Sequence, residues 1–228
     1  MILQIETATT SCSVALMQQG VLLAKRELNQ RNVHAEVITL FIEAVFAEAG
    51  KQYKDMDAVA VSCGPGSYTG LRIGVSTAKG LCYALDKPLI AVETLKAMAD
   101  GMLASLNQNY TDNTLLCPMI DARRMEVFTA VFDTKGNKVM PTAALIIDEG
   151  SFAELLQDHQ IVFFGDGAEK CRETISHPNA QFVSDFANKA QDLTLAALNK
   201  FNNKNFEDVA YFEPYYLKDF IAGVKKQA

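Results

Sequence analysis

The sequence predicts an α/β protein of two related lobes, each a mixed sheet flanked by helices, with the second lobe abbreviated. Three observations lead there. Apolar runs of strand length alternate with longer stretches of helical periodicity along most of the chain. Three strand-like runs open each half before that alternation starts. The polar, turn-rich stretch Asn107 to Asn113 interrupts the pattern and divides the chain into a lobe of residues 1–106 and a smaller one of 107–228.

In the first lobe Ile2, Leu3 and Ile5 begin one strand, Cys12 to Met17 form a second, and Val21, Leu22 and Leu23 a third. Gln18, Gln19 and Gly20 turn the chain between the last two, which read as a hairpin. A helix runs from about Val33 to Ala49, with Asn32 as its expected N-cap and Gly50 as its C′ residue. Asp57 to Ser62 is a buried strand that leads into Gly64-Pro65-Gly66-Ser67, and this loop opens a helix to about Leu85. The strand Pro88 to Val92 and a helix from Glu93 to Leu106 complete the lobe. In the second lobe the expected strands are Leu115 to Ile120, Glu126 to Phe132, Lys138 to Ile147 and Ile161 to Phe164. Helices are expected near Ser151 to Gln157 and Ser184 to Asn202, and Val209 to Phe220 is a closing segment placed to pack back on the first lobe.

With 228 residues, 49% of them hydrophobic, the chain can bury a conventional core. Cys12, Cys63, Cys82, Cys117 and Cys171 are odd in number and widely spaced, which predicts free thiols in a reducing cytoplasm. Met1 to Glu6 reads as a first strand rather than a signal peptide, and no apolar run is long enough for a membrane span. A net charge of −6 argues against a surface that itself carries most of the affinity for a polyanion such as RNA.

Glu6-Thr7-Ala8-Thr9-Thr10-Ser11 joins two strands and offers a carboxylate and four hydroxyls, which could hold magnesium indirectly and bind phosphate oxygens. Equally, an ordinary hairpin uses such hydroxyls on its own backbone, and spacing alone favours that use. The glycine-rich run Gly64 to Arg72 has Leu71-Arg72 where a Walker loop needs Lys-Ser/Thr, so a phosphate role for Gly66 and Ser67 is weak. In structural terms Gly66 shapes the turn, while Gly70, Gly74 and Ala78 make a small-residue stripe along which another helix could approach closely. The preceding helix carries two apolar faces, Val37, Leu40, Phe41 and Ala44 on one side and Ile38, Ile42, Val45 and Phe46 on the other. Two faces imply two neighbours, its own sheet and either a further lobe or another chain.

His34, His159 and His177 lack companions at ligand spacing, so no metal site is assigned, and His34 reads as a surface or capping residue. No nucleophile elbow accompanies Ser67 or Cys63, and no residue receives a catalytic role. Asp121 to Glu126 is either a functional charged cluster or a charged hairpin turn. Gly165-Asp166-Gly167-Ala168 either holds a base or makes a tight strand-to-helix turn.

These residues together resemble the TsaB (YeaZ) family. The likeness begins at Ile5 to Thr9 and Cys12 to Leu16, is most specific over Gly64 to Gly74, and continues through Asp121-Ala122-Arg123, Glu126-Val127-Phe128, Gly165 to Ala168 and Pro214 to Lys218. It implies lobes of the actin-like ATPase (ASKHA, ribonuclease H-like) architecture and a part in making threonylcarbamoyl-adenosine beside the tRNA anticodon. In that pathway TsaD, a larger relative, carries the metal and transfers the group, and the ATPase TsaE joins the complex. The resemblance implies a non-catalytic dimerisation subunit that pairs with TsaD, or with itself when TsaD is absent, and meets tRNA only through the complex. Its interface would be built on Val37, Ile38, Leu40, Phe41, Val45, Gly70, Gly74 and Ala78. No cofactor of its own is implied, although ATP or ADP with magnesium could sit at the partner interface near Glu6, Thr7, Thr9, Gly66 and Ser67. The alternative is an ASKHA phosphotransferase acting on a small metabolite, which would need those residues to form a nucleotide cleft.

Overall fold

In the computed structural model, residues 1–105 and 110–218 are described. The chain folds into β1 (Ile2–Glu6), β2 (Ser11–Gln18), β3 (Val21–Asn29), α1 (His34–Glu48), β4 (Ala58–Gly64), α2 (Tyr68–Leu85), β5 (Leu89–Glu93) and α3 (Thr94–Ser105). Then follow β6 (Thr114–Asp121), β7 (Glu126–Asp133), β8 (Lys138–Ile146), α4 (Ala153–Asp158), β9 (Gln160–Phe164), β10 (Ala180–Val183) and α5 (Thr194–Asn202).

The two sheets are built alike. The first has the order β3-β2-β1-β4-β5 and the second β8-β7-β6-β9-β10. In each, the opening three strands pair antiparallel, and the last two join parallel to the central one. This duplicated, mixed sheet is the actin-like architecture expected. What is abbreviated in the second lobe is its helices. α4 has 6 residues where α1 has 15, and a single 3-10 turn, Glu169–Cys171, stands where α2 has 18.

The first sheet buries one face against α1 and α2, where Leu3, Ile5, Val14 and Leu16 meet Ile38, Ile42, Val45, Phe46, Val75 and Ala78. Its other face carries Ile2, Ala58, Ala60, Ile90 and Val92 under Ala97 of α3 and Leu193 and Ala197 of the returning chain. α3 is buried along most of its length, because Leu95, Met98, Ala99 and Met102 also pack on Leu116, Ile120, Phe132 and Phe164 of the second sheet. It is the element shared by both lobes.

Helix ends follow local chemistry where tertiary packing allows. At the end of α1, Gly50 has φ +62°, its N–H donates to the Ala47 carbonyl, and the Lys51 N–H reaches back to the Phe46 carbonyl. That pair of bonds is a Schellman motif. At the start, Val33 occupies the N-cap with no side-chain cap, and Asn32 lies just outside with φ +62°. Burial of Val33 and His34 outweighs the cap that Asn32 would have supplied.

The largest departure from expectation lies at Ser184 to Asn202, where a single helix was expected. Residues 180–183 form β10, Asp185 has φ +61°, and a 3-10 turn, Ala190–Leu193, precedes a shorter α5. The Ser11 hydroxyl donates to the Asn188 carbonyl and the Ala190 N–H donates to the Ser13 hydroxyl. Backbone groups that a helix would use internally are thus committed to β2. After α5 the chain runs back along the first lobe, where the Glu207 N–H donates to the Leu89 carbonyl and the Tyr215 N–H to the Cys63 carbonyl. Residues 107–109 of the expected linker, Leu106, and 219–220 of the closing segment lie outside the described residues.

Candidate functional site

The glycine-rich loop and the β1–β2 loop form one unit. The Ser67 N–H donates to the Ala8 carbonyl at 2.6 Å, and the Ser67 hydroxyl caps α2 by accepting from the Gly70 N–H at 3.2 Å. Gly66 lies against Ala8, and Gly70 against the Thr7 carbonyl oxygen, with no room for a Cβ at either glycine. One turn on, Gly74 faces the Thr7 hydroxyl just as tightly. From the other side, His34 is buried and its Nε2 donates to the Thr9 carbonyl at 2.9 Å. His34 is therefore neither a surface residue nor the helix cap; it braces the loop.

This geometry corrects the reading of the small-residue stripe. Gly70, Gly74 and Ala78 are buried, and the two glycines face the chain's own Thr7 rather than a foreign helix. Missing side chains signal close approach, and what approaches is a loop backbone. Ile38 and Val45 are likewise buried in the first core, so of the eight interface candidates only Val37, Leu40 and Phe41 reach the surface. Leu40 is 60% exposed.

Glu6 and Thr7 are also withdrawn from solvent. Glu6 is 1% exposed, and its Oε1 accepts from the Ala8 N–H at 2.6 Å and the Ser62 hydroxyl at 2.9 Å. Burial pushes its carboxyl up to about 7, with a further push from Asp192 that the hydrogen bonds only partly offset. Thr7 is fully buried, and the Thr9 hydroxyl accepts from the Ser11 N–H. Glu6 and Thr9 thus bond within the loop and to Ser62, the use that spacing favoured, while the buried Thr7 hydroxyl makes no hydrogen bond among the described residues. None of Glu6, Thr7, Thr9, Gly66 or Ser67 lines either described cavity. A magnesium nucleotide held by this chain alone does not fit a site whose carboxylate and hydroxyls are already buried or bonded internally.

The raised Glu6 pKa fixes the sign of a stability effect. The unfolded chain loses this proton near 4.5 and the folded chain near 7, so stability falls as pH rises between them, and the penalty is complete above 7. Glu6→Gln keeps an oxygen to accept from Ala8 and Ser62 but carries no charge. It is expected to stabilise the protein by on the order of 2–3 kcal/mol at alkaline pH and by almost nothing below the unfolded pKa. Urea denaturation on both sides of the window would show this, and a gain independent of pH would refute the assignment.

The second lobe's motifs are turns. Gly165 and Gly167 press on the backbone of Met119 to Asp121, and the Asp121 N–H donates to the Asp166 carboxylate at 3.0 Å. Gly165 and Asp166 border an open cavity of about 340 Å³ that Val183 to Phe186 line from the other side. In the Asp121 to Glu126 turn, Arg123 and Arg124 have φ of +69° and +49°, Lys170 pairs with Asp121, and Lys218 pairs with Glu126. The last pair ties the returning segment to the second lobe. Sequence reasoning missed Ser62 as the partner of Glu6 and missed the cluster that Tyr68 and Arg72 of α2 form with Tyr216 of the returning segment. The spacing of Tyr68 and Arg72, one helical turn apart, is the signal that could have found the cluster.

All five cysteines are free thiols, and no group of three potential metal ligands occurs among the described residues. No described helix is long and apolar enough to cross a membrane.

A family model described as "TsaD: tRNA N6-adenosine threonylcarbamoyltransferase" matches residues 22–225. The tRNA threonylcarbamoyladenosine biosynthesis protein TsaB of Escherichia coli strain K12 is 38% identical over 138 residues, 60% of this chain and 57% of that protein. The TsaB protein of Bacillus subtilis strain 168 is 29% identical over 169 residues, 72% of this chain and 70% of its own length. The match to the E. coli protein therefore spans little more than half of that relative. Among solved structures, YeaZ from Pseudomonas aeruginosa superposes with a TM-score of 0.79 at 25% identity, covering 95% of this chain and 99% of that one. The family model spans residues 22–225 and the superposition 95% of the chain: the chain belongs to the TsaD-related family and, within it, to the TsaB (YeaZ) group.

Proposed function

We propose that this chain is a non-catalytic partner subunit of a tRNA N6-adenosine threonylcarbamoyltransferase, supporting group transfer to the adenosine beside the anticodon. The observation that carries the proposal is the apolar face left open on the first lobe. Leu40 is 60% exposed, Val37, Phe41 and Ala44 are half-buried beside it, and Ile73 and Leu81 continue the surface on the adjoining α2. A contiguous apolar patch on a folded domain marks an association site. Family membership points to the occupant, because the family model that matches this chain is described by the transferase itself. Pairing through α1 and α2 would shift the transferase toward the conformation that binds tRNA and the activated intermediate. Without it, the same patch would pair two copies of this chain. A TsaE-type ATPase would join the assembly, tRNA would be reached only through it, and any magnesium nucleotide would lie at the partner interface.

The test is co-purification with the TsaD protein of the same organism, followed by a threonylcarbamoyl-transfer assay omitting each component in turn. Activity that requires both chains is the expected result. Full transfer by TsaD without this chain, or magnesium-ATP turnover by this chain alone, would overturn the proposal.

A further inference from the structure

Between α2 and the returning segment lies a groove of about 400 Å³ that the loop chemistry leaves unused. Arg72, Val75 and Lys79 line it from the helix, and Phe212, Glu213 and Tyr216 form the opposite wall. Lys79 is committed, since its ammonium donates to the Ala210 carbonyl at 3.2 Å and the Phe212 carbonyl at 2.8 Å and so pins that wall. Arg72 is held differently. Its Nε donates to the Tyr216 hydroxyl at 3.2 Å, its guanidinium carbon lies 4.3 Å from the Tyr68 ring centroid, and the Tyr68 and Tyr216 ring centroids are 4.8 Å apart.

The guanidinium is therefore held over the Tyr68 ring and along its Nε edge by Tyr216, while among the described residues its terminal amines make no hydrogen bond and the side chain is exposed. A fork held this way has already lost much of its rotational freedom and is ready for a planar, bidentate acceptor. The acceptor must come from outside the groove, because Glu213 acts on Arg72 only as a nearby charge. A polyanion suits the place poorly: Glu213 lines the same groove, Lys79 is already bonded to carbonyls, and the chain carries −6 overall. A single carboxylate suits it well. Arg72 and Ile73 are consecutive on α2 and so point about 100° apart, which puts the fork on the groove flank of the helix and Ile73 on the apolar face.

We infer that Arg72 is the socket for an aspartate or glutamate side chain of the protein that covers α1 and α2. This rests on the partner role proposed above. A partner helix would bring apolar residues over Leu40 and Ile73 and a carboxylate to the flank of α2. The apolar contact would supply affinity, and the bidentate pair would fix register.

The decisive measurement is calorimetric titration of the transferase with the intact wild-type chain and with Arg72→Ala, Arg72→Lys and Tyr216→Phe, at low and high salt. Arg72→Ala is expected to weaken binding about tenfold or more and to flatten its salt dependence. Arg72→Lys should lose nearly as much, because the charge remains but the fork does not. Tyr216→Phe should lose about twofold to threefold, since it frees Nε without removing charge. All three should melt with the wild type. Wild-type affinity and salt dependence in Arg72→Ala would overturn the socket and leave the partner role standing. Absence of any complex with the wild-type chain would overturn the partner role, and the socket with it.

Discussion

Gly70→Ala is expected to cost about 3 kcal/mol or more of folding stability, because its Cβ would clash with the Thr7 carbonyl oxygen, a contact between two backbones. α2 is fixed at that point by the Ser67 cap and by the Ser67 bond to Ala8, while the loop is held from below by Glu6 and from the side by His34. Gly74→Ala tests the same contact one turn later with a different outcome. Its Cβ would meet the Thr7 hydroxyl, which a second substitution can remove. Gly74→Ala should cost about 2 kcal/mol, and adding Thr7→Ala should restore most of it, whereas Thr7→Ala should not rescue Gly70→Ala. Urea unfolding of the four variants and the wild type measures this directly. A Gly70→Ala protein as stable as the wild type would mean that the loop does not sit on the helix. The same contact disqualifies a large residue at position 74 as a probe of assembly, since Gly74→Leu would damage the fold before it reached any interface.

The two lobes were legible because strand and helix periods differ and because glycine marks helix ends in a way that local chemistry alone decides. Gly50 ends α1 by a motif that needs only its own backbone. Where the outcome depended on a distant segment, the sequence was ambiguous. The stretch 184–202 has enough helix formers to read as one helix, but β2 hydroxyls 177 residues away in sequence claim its backbone groups. The stripe of Gly70, Gly74 and Ala78 announces a close neighbour without naming it, and a loop carbonyl leaves the same signature as a second helix. By composition Glu6 and Thr7 read as part of a polar loop between two strands. Their burial depends on Ser62, His34 and α2 arriving around them, which no local pattern encodes. Family resemblance placed the expected interface on α1 and α2, and packing separates the residues of α1 that face outward, Val37, Leu40 and Phe41, from Ile38 and Val45, which face the sheet.

That separation yields the second large effect. Leu40→Asp places a charge at the centre of the open face and should weaken association with the transferase about 100-fold or more, because a desolvated carboxylate without a partner adds its own cost to the lost apolar contact. Since Leu40 touches solvent in the free chain, its folding stability should change by no more than about 0.5 kcal/mol. Ile42→Asp, two residues along the same helix, should do the reverse: its side chain is 3% exposed between α1 and the first sheet, and a charge there should prevent folding. Thermal melts and size-exclusion chromatography with the transferase separate these outcomes in one series. A Leu40→Asp chain that still co-elutes with the transferase at wild-type affinity would remove α1 from the interface. The partner would then have to be sought on a surface that does not include the apolar face. If instead the fold survives and the complex is lost, α1 performs two jobs on opposite sides, and the second apolar stripe in its sequence is explained by the partner rather than by the core.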